Sequence, residues 1–342
     1  MANANTVKYR IPFFTVGILF AFWGILGLID QSNVPYIGYQ EDGNNTVIRV
    51  YPGTPAASAG LKKGDYIRSI GGISVEDTSA LLRRGRARIG ETRSFLVERR
   101  EQAGEAPVTK SVDITYANLP ARSMALSDAE VLIGLCFVAC GLTACLKAPA
   151  RSATLLALAG ICMGLVFFAG PHISSFFVRM LAGSIQILVV FLGFAFLLHY
   201  MLETPKPKRF LQWKHARKII YAPAVLMVLF VVFQIVLEPR ATSGLNQMNN
   251  ILFGLFFVAY FGCAAAAMIH TYAKATPQER AAYGLNIALA GSLIGLLPVT
   301  IAALIGTVAP KLVLPGGDFY FLTLILIPIS LTAGMLRQSR AL

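Results

Sequence analysis

Residues 51–72 read YPGTPAASAGLKKGDYIRSIGG, a turn-rich, soluble-looking run between long apolar stretches. Just before it, residues 46–51 (TVIRVY) alternate and are rich in β-branched side chains, which predicts a strand. Pro52-Gly53 and Pro55 break that strand. Residues 56–61 allow one helical turn, stopped by Gly60 in the left-handed region. Lys62-Lys63-Gly64-Asp65 makes a turn, residues 66–70 alternate as another strand, and Gly71-Gly72 supplies a hairpin-type turn. Further on, residues 77–88 read as a helix capped by Asp77 or Thr78 and interrupted at Gly85. Residues 93–99 and 111–116 read as two more strands. The stretch therefore belongs to a small α+β unit.

Its surroundings are of another kind. Only 14% of the 342 residues are charged, against about 25% in a soluble domain, and the mean hydropathy is +0.63. Eight apolar segments are long enough to be candidate membrane spans: 11–29, 131–146, 153–170, 180–200, 219–237, 251–269, 285–308 and 319–336. Lipid offers no partner to a bare backbone, so each is expected to be helical. Ser127-Asp128-Ala129-Glu130 has the form of a capping box and predicts that the second span starts there. Lys and Arg concentrate in every second connection: Lys8 and Arg10, Lys147 and Arg151, the run from Lys206 to Lys218, Lys274 and Arg280, Arg337 and Arg340. By the positive-inside rule both termini are cytoplasmic and residues 31–126 lie outside. The net charge of +13 is then a topology signal, and no nucleic-acid partner is expected. No small-x-small cleavage site follows the first span, which reads as an uncleaved anchor.

The order of elements around PGTPAASAGLKKGD, over residues 36–116, resembles the PDZ domains of bacterial HtrA-type and site-2-type proteases. The fold class expected is thus an α-helical membrane protein of eight transmembrane helices (one plus seven), with an extracytoplasmic PDZ-like α+β domain after the first. The expected division is 1–30 N-terminus and anchor, 31–126 PDZ-like domain, 127–338 helix bundle and 339–342 tail. The resemblance implies that Tyr36-Ile37-Gly38-Tyr39 presents backbone amides to a peptide C-terminus, with Leu82 and Arg86 of the helix nearest the groove. The physics is independent of family: successive backbone donors form an anion nest, and a strand edge beside a helix accepts an extended peptide.

Catalytic patterns are missing. None of the four histidines (His172, His199, His215, His270) is followed by Glu, so no H-E-x-x-H zinc motif exists. Gly183-Ser184 reads as a packing pair, Gly316-Gly317 as a lone turn. Cys136, Cys140, Cys145, Cys162 and Cys263 all lie in or beside spans, without evident partner ligands. No enzymatic activity, metal or cofactor is expected.

Within the spans, polar groups are few. His199 and His270 sit near the basic ends, Asp30 at an outer surface, and Pro298 and Pro328 are expected to kink their helices. The segments FAFLLHYMLETPKPKRFL and ATPQERAAYGLNIALAGSLIGLLPV, with the external insert, resemble the membrane input region of quorum-sensing histidine kinases of the competence (ComP) type. Those kinases continue into a cytoplasmic catalytic module, which these residues do not hold. The function expected is a non-enzymatic bacterial inner-membrane receptor, sensor or scaffold that binds a peptide or protein C-terminus outside. A cytoplasmic signalling partner or membrane complex would take up the signal. An accessory subunit of a protease or other membrane complex, or a transporter, are the alternatives.

Overall fold

A computed structural model describes residues 10–42, 44–100, 106–148, 151–237, 243–309, 312 and 314–341. Helix α1 (Ile11–Ile29) leads through a 3-10 turn into a small domain. Its strands are β1 (Pro35–Tyr36), β2 (Tyr39–Glu41), β3 (Val47–Val50), β4 (Tyr66–Ile70), β5 (Ile73–Ser74), β6 (Thr92–Arg99), β7 (Val108–Thr115) and β8 (Ala117–Asn118). Helices α2 (Pro55–Ser58) and α3 (Thr78–Arg83) lie between them. The sheets are β2-β3, β5-β4-β6-β7 and the pair β1-β8, all antiparallel.

Alternation decides which face is buried. Phe95 and Val97 of β6 and Val112 and Ile114 of β7 point inward with Val47, Ala56, Leu61 and Ile67, while Leu96 between them is exposed. The hairpin at Gly71-Gly72 forms as expected, both glycines having positive φ and Ile70 facing Ile73. Helix α3 is shorter than the sequence suggests. The Asp77 carboxylate accepts from the Ala80 amide at its start, but the helix ends at Arg83 and Gly85 (φ 85°) turns the chain away. Asp65 closes the turn before β4. Its carboxylate is buried, accepts the Lys62 amide at 2.8 Å, and pairs with Arg99 of β6 at 2.6 and 2.7 Å.

The remaining chain is helical: α4 (Ala121–Lys147), α5 (Arg151–Val166), α6 (Phe176–Glu203), α7 (Ala216–Leu237), α8 (Ser243–Lys274), the short α9 (Pro277–Ala282), α10 (Leu285–Val308) and α11 (Leu326–Ala341), the last preceded by a 3-10 helix over Gly317–Ile325. Among the described residues, seven helices are long and apolar enough to cross a membrane. The eighth expected span is represented by α5, which has 16 residues and is buried over almost its whole length. It packs on α1, α4, α6 and α11. Glycines allow this close approach: a side chain at Gly160 would meet the Phe137 carbonyl and Gly141, and one at Gly164 the Gly134 carbonyl. Gly160 and Gly164 form a G-x-x-x-G pair, the spacing that lets two helix backbones touch. A second such pair, Gly291 and Gly295 on α10, receives Ser330 and Ile327 of α11.

Two local expectations are corrected. Ser127-Asp128-Ala129-Glu130 caps nothing, because α4 starts earlier, at Ala121, after the extended Pro120. Pro298 does lie inside a helix, whereas Pro328 sits in the first turn of α11, where a missing amide hydrogen costs little.

Candidate peptide-binding site

The Tyr36-Ile37-Gly38-Tyr39 loop connects β1 to β2, and neighbouring elements fix its carbonyls. The Ala56 amide donates to the Ile37 carbonyl at 2.9 Å and the Tyr51 amide to the Gly38 carbonyl at 3.0 Å. The Thr54 hydroxyl stands 2.7 Å from the Tyr51 carbonyl and 3.2 Å from that of Gly38, while capping α2. Gly38 is held at φ 84°, and a Cβ there would collide with the Thr54 side chain. Only glycine meets both conditions.

With their carbonyls engaged, the amides face elsewhere. Among the described residues neither the Ile37 nor the Gly38 amide donates to any protein acceptor. The Tyr51-to-Gly38 bond also places Tyr39 and Val50 at a non-hydrogen-bonded position of the β2-β3 ladder. The amide and carbonyl of Tyr39 therefore point away from β3. Among the described residues no strand lies on that side of β2. Three successive amides and an open strand edge thus meet at one place. The Tyr39 ring packs edge-on against Phe95, 6.2 Å between centroids, and burial pushes its phenol well above the usual range.

The other named residues are placed differently. Tyr36 turns toward the bundle. Its phenol is raised above the usual pKa by burial, with Ser123 of α4 opposing. It lines a cavity of about 630 Å³ with Thr54, Arg122, Glu130 and Phe321. Leu82 belongs to α3, but its side chain lies outside the described residues. Arg86 is not on the helix. It follows Gly85, and its guanidinium stands 3.3 Å from His172 Nδ1, in the connection between α5 and α6. The backbone amide of His172 in turn donates to the Asp30 carboxylate at 2.6 Å. Arg86 thus contacts the membrane bundle. The His172 imidazole is held below its usual pKa by burial and then by Arg86, with Asp30 opposing and Arg179 adding to the effect.

Comparison with known proteins agrees with the central part of this unit. The PDZ domain family matches residues 46–99. The match runs from β3 to β6 and leaves the Tyr36–Tyr39 loop outside it. No curated protein and no solved structure matches the chain. The protein therefore carries a PDZ domain, of a family whose members bind peptide C-termini or proteins, on a chain with several helices able to cross a membrane.

Proposed function

We propose that the chain is a non-enzymatic membrane receptor or scaffold whose PDZ domain takes up the C-terminus of a peptide or protein outside the cytoplasmic membrane of a bacterium. One observation carries this reading: the unengaged amides of Ile37 and Gly38 beside the open edge of β2. A terminal carboxylate would accept from those amides, and the following ligand backbone would pair with Tyr39 and extend the sheet.

The topology proposed is eight crossings with both termini inside. The ends of α1 support it. Arg10 before that helix donates to the Leu146 carbonyl at the end of α4, and Asp30 after it accepts from His172. Helix α5 and the connection that follows it to His172 therefore cover the same depth as α1. The basic connections collect at the end opposite the PDZ domain, as a cytoplasmic face requires. A relay is available through Tyr36, which shares the loop with the free amides and lines a cavity together with Arg122 and Ser123 of α4.

The test uses the full chain in nanodiscs and paired peptides, each with a free C-terminal carboxylate or the corresponding carboxamide. Hydrogen bonds to a charged group contribute about 1.5–3 kcal/mol, so the best binders should weaken by about tenfold or more on amidation. Equal binding of both forms, or no binding from a C-terminal library, would remove the recognition half of the proposal.

A further inference from the structure

At the end of the bundle far from the PDZ domain, α7 and α8 both pack on α6 but touch each other little. A cavity of about 1,010 Å³ opens between them. Its apolar walls come from Leu198, Ile220, Pro223, Ala259 and Ala267, and Tyr260 bridges the two helices by donating to the Ile220 carbonyl. Its mouth is basic, lined by Lys208, Arg209, His270 and Lys274. The same four residues line a second, more polar cavity of about 300 Å³ beside the connection between α6 and α7.

Charge balance at the mouth is one-sided. Glu279 is engaged by Lys206 at 2.7 Å and by the Thr276 amide, and Glu203 stands 3.8 Å from His199. Among the described residues no carboxylate pairs with Lys208, Arg209 or Lys274. Among the described residues Lys208 donates only to neutral oxygens, the Met201 carbonyl at 2.9 Å and the Thr271 hydroxyl at 2.6 Å. Burial lowers its pKa to about 8, a penalty that an incoming anion would relieve. The outward sides of α7 and α8 carry large exposed apolar residues, among them Ile219, Leu226 and Ile269, so the cavity opens sideways toward hydrocarbon.

We infer that this paired cavity is a binding site for an anionic phospholipid, its phosphate held by Lys208, Arg209 and Lys274 and an acyl chain lying in the apolar cavity between α7 and α8. A soluble anion would fill only the smaller, polar cavity, and an uncharged lipid would leave three cations unmatched. This inference is independent of what the PDZ domain binds.

The test is native mass spectrometry of the full chain released from nanodiscs of phosphatidylcholine with or without phosphatidylglycerol. One phosphatidylglycerol should be retained per chain, preferred on the order of tenfold or more over phosphatidylcholine, since each cation near an anionic headgroup adds to its retention. Retention should fall by a similar factor when Lys208, Arg209 and Lys274 are all changed to Gln, and in Cys263→Trp, which fills the apolar cavity. Equal retention of both lipids by the unaltered chain would overturn the inference, even if a variant failed to fold. Displacement of the lipid by inorganic phosphate at millimolar concentration would assign the site to a soluble anion instead.

Discussion

Asp65 shows what a single residue does for the PDZ domain. Its buried carboxylate joins the turn before β4 to Arg99 at the end of β6. Removing one partner of such a pair leaves the other charge in a poor environment, at about 3–5 kcal/mol. Asp65→Ala should therefore raise hydrogen exchange throughout β4 and β6 of the full chain; protection unchanged within a factor of ten would show that the pair adds little. Gly38 is constrained by both dihedral and space. Gly38→Ala should cost at least about 1–3 kcal/mol from the left-handed backbone alone, and the Thr54 collision adds to it. The melting temperature of the domain should drop together with peptide affinity, so such a variant reports on folding as much as on recognition. The turn at Gly64-Asp65 was legible in the sequence, because turn residues act locally. The Arg99 partner was not, since nothing in a single sequence ties two positions 34 residues apart.

At the scale of elements, the spans expected over 11–29 and 285–308 coincide with α1 and α10, and β3, β4 and β6 lie within a residue of their expected limits, whereas β7 begins three residues before the expected 111 and α3 and α4 differ more. Strand 66–70 agrees residue for residue, because alternation and flanking glycines mark both of its limits. Helix α3 ends at Arg83, short of the expected residue 88, because at Gly85 backbone conformation outweighs the helix-forming residues that follow. Helix α4 starts six residues before the expected Ser127, because a plausible cap inside a helix looks the same as one at its start. The glycine contacts between α4 and α5 have a signature in the sequence, the G-x-x-x-G spacing of Gly160 and Gly164. Gly160→Leu should separate these helices and lower the stability of the detergent-solubilised chain by about 1–3 kcal/mol, the usual cost of overpacking; an unchanged thermal transition would mean the contact is loose. At α9, the Thr276 hydroxyl and Glu279 carboxylate form a capping box, and Lys206 and Thr276 hold that carboxyl down at about 2. Thr276→Ala should fray that helix by about 1 kcal/mol, seen as faster exchange in residues 277–282 alone.

For the whole molecule, the joint between domain and bundle could not be foreseen. Arg86, His172 and Asp30 are far apart in sequence and meet only because Gly85 turns the chain toward the connection between α5 and α6. In that contact the Arg86 guanidinium donates to the unprotonated Nδ1. The imidazole pKa is depressed in the folded state, so the joint binds fewer protons than its separated parts. Its stability is then present above the ordinary imidazole value of about 6.5 and declines as pH falls below it. Acidification from pH 7.5 to 5.5 should increase hydrogen exchange in residues 84–90 of the full chain. His172→Gln should abolish that response; a response that survives in the variant would place the titrating group elsewhere.

The pairing of β1 with β8 has a consequence for how such a chain can be built. The two connections to the PDZ domain leave the bundle side by side, Pro35 opposite Asn118, about 5 Å apart as antiparallel neighbours must be. Everything between them is a cassette. A short turn in its place would close the gap without moving α1 relative to α4, and so would any other fold whose ends are adjacent. The same membrane chassis could thus be fitted with a different binding domain, one exchangeable part at a time.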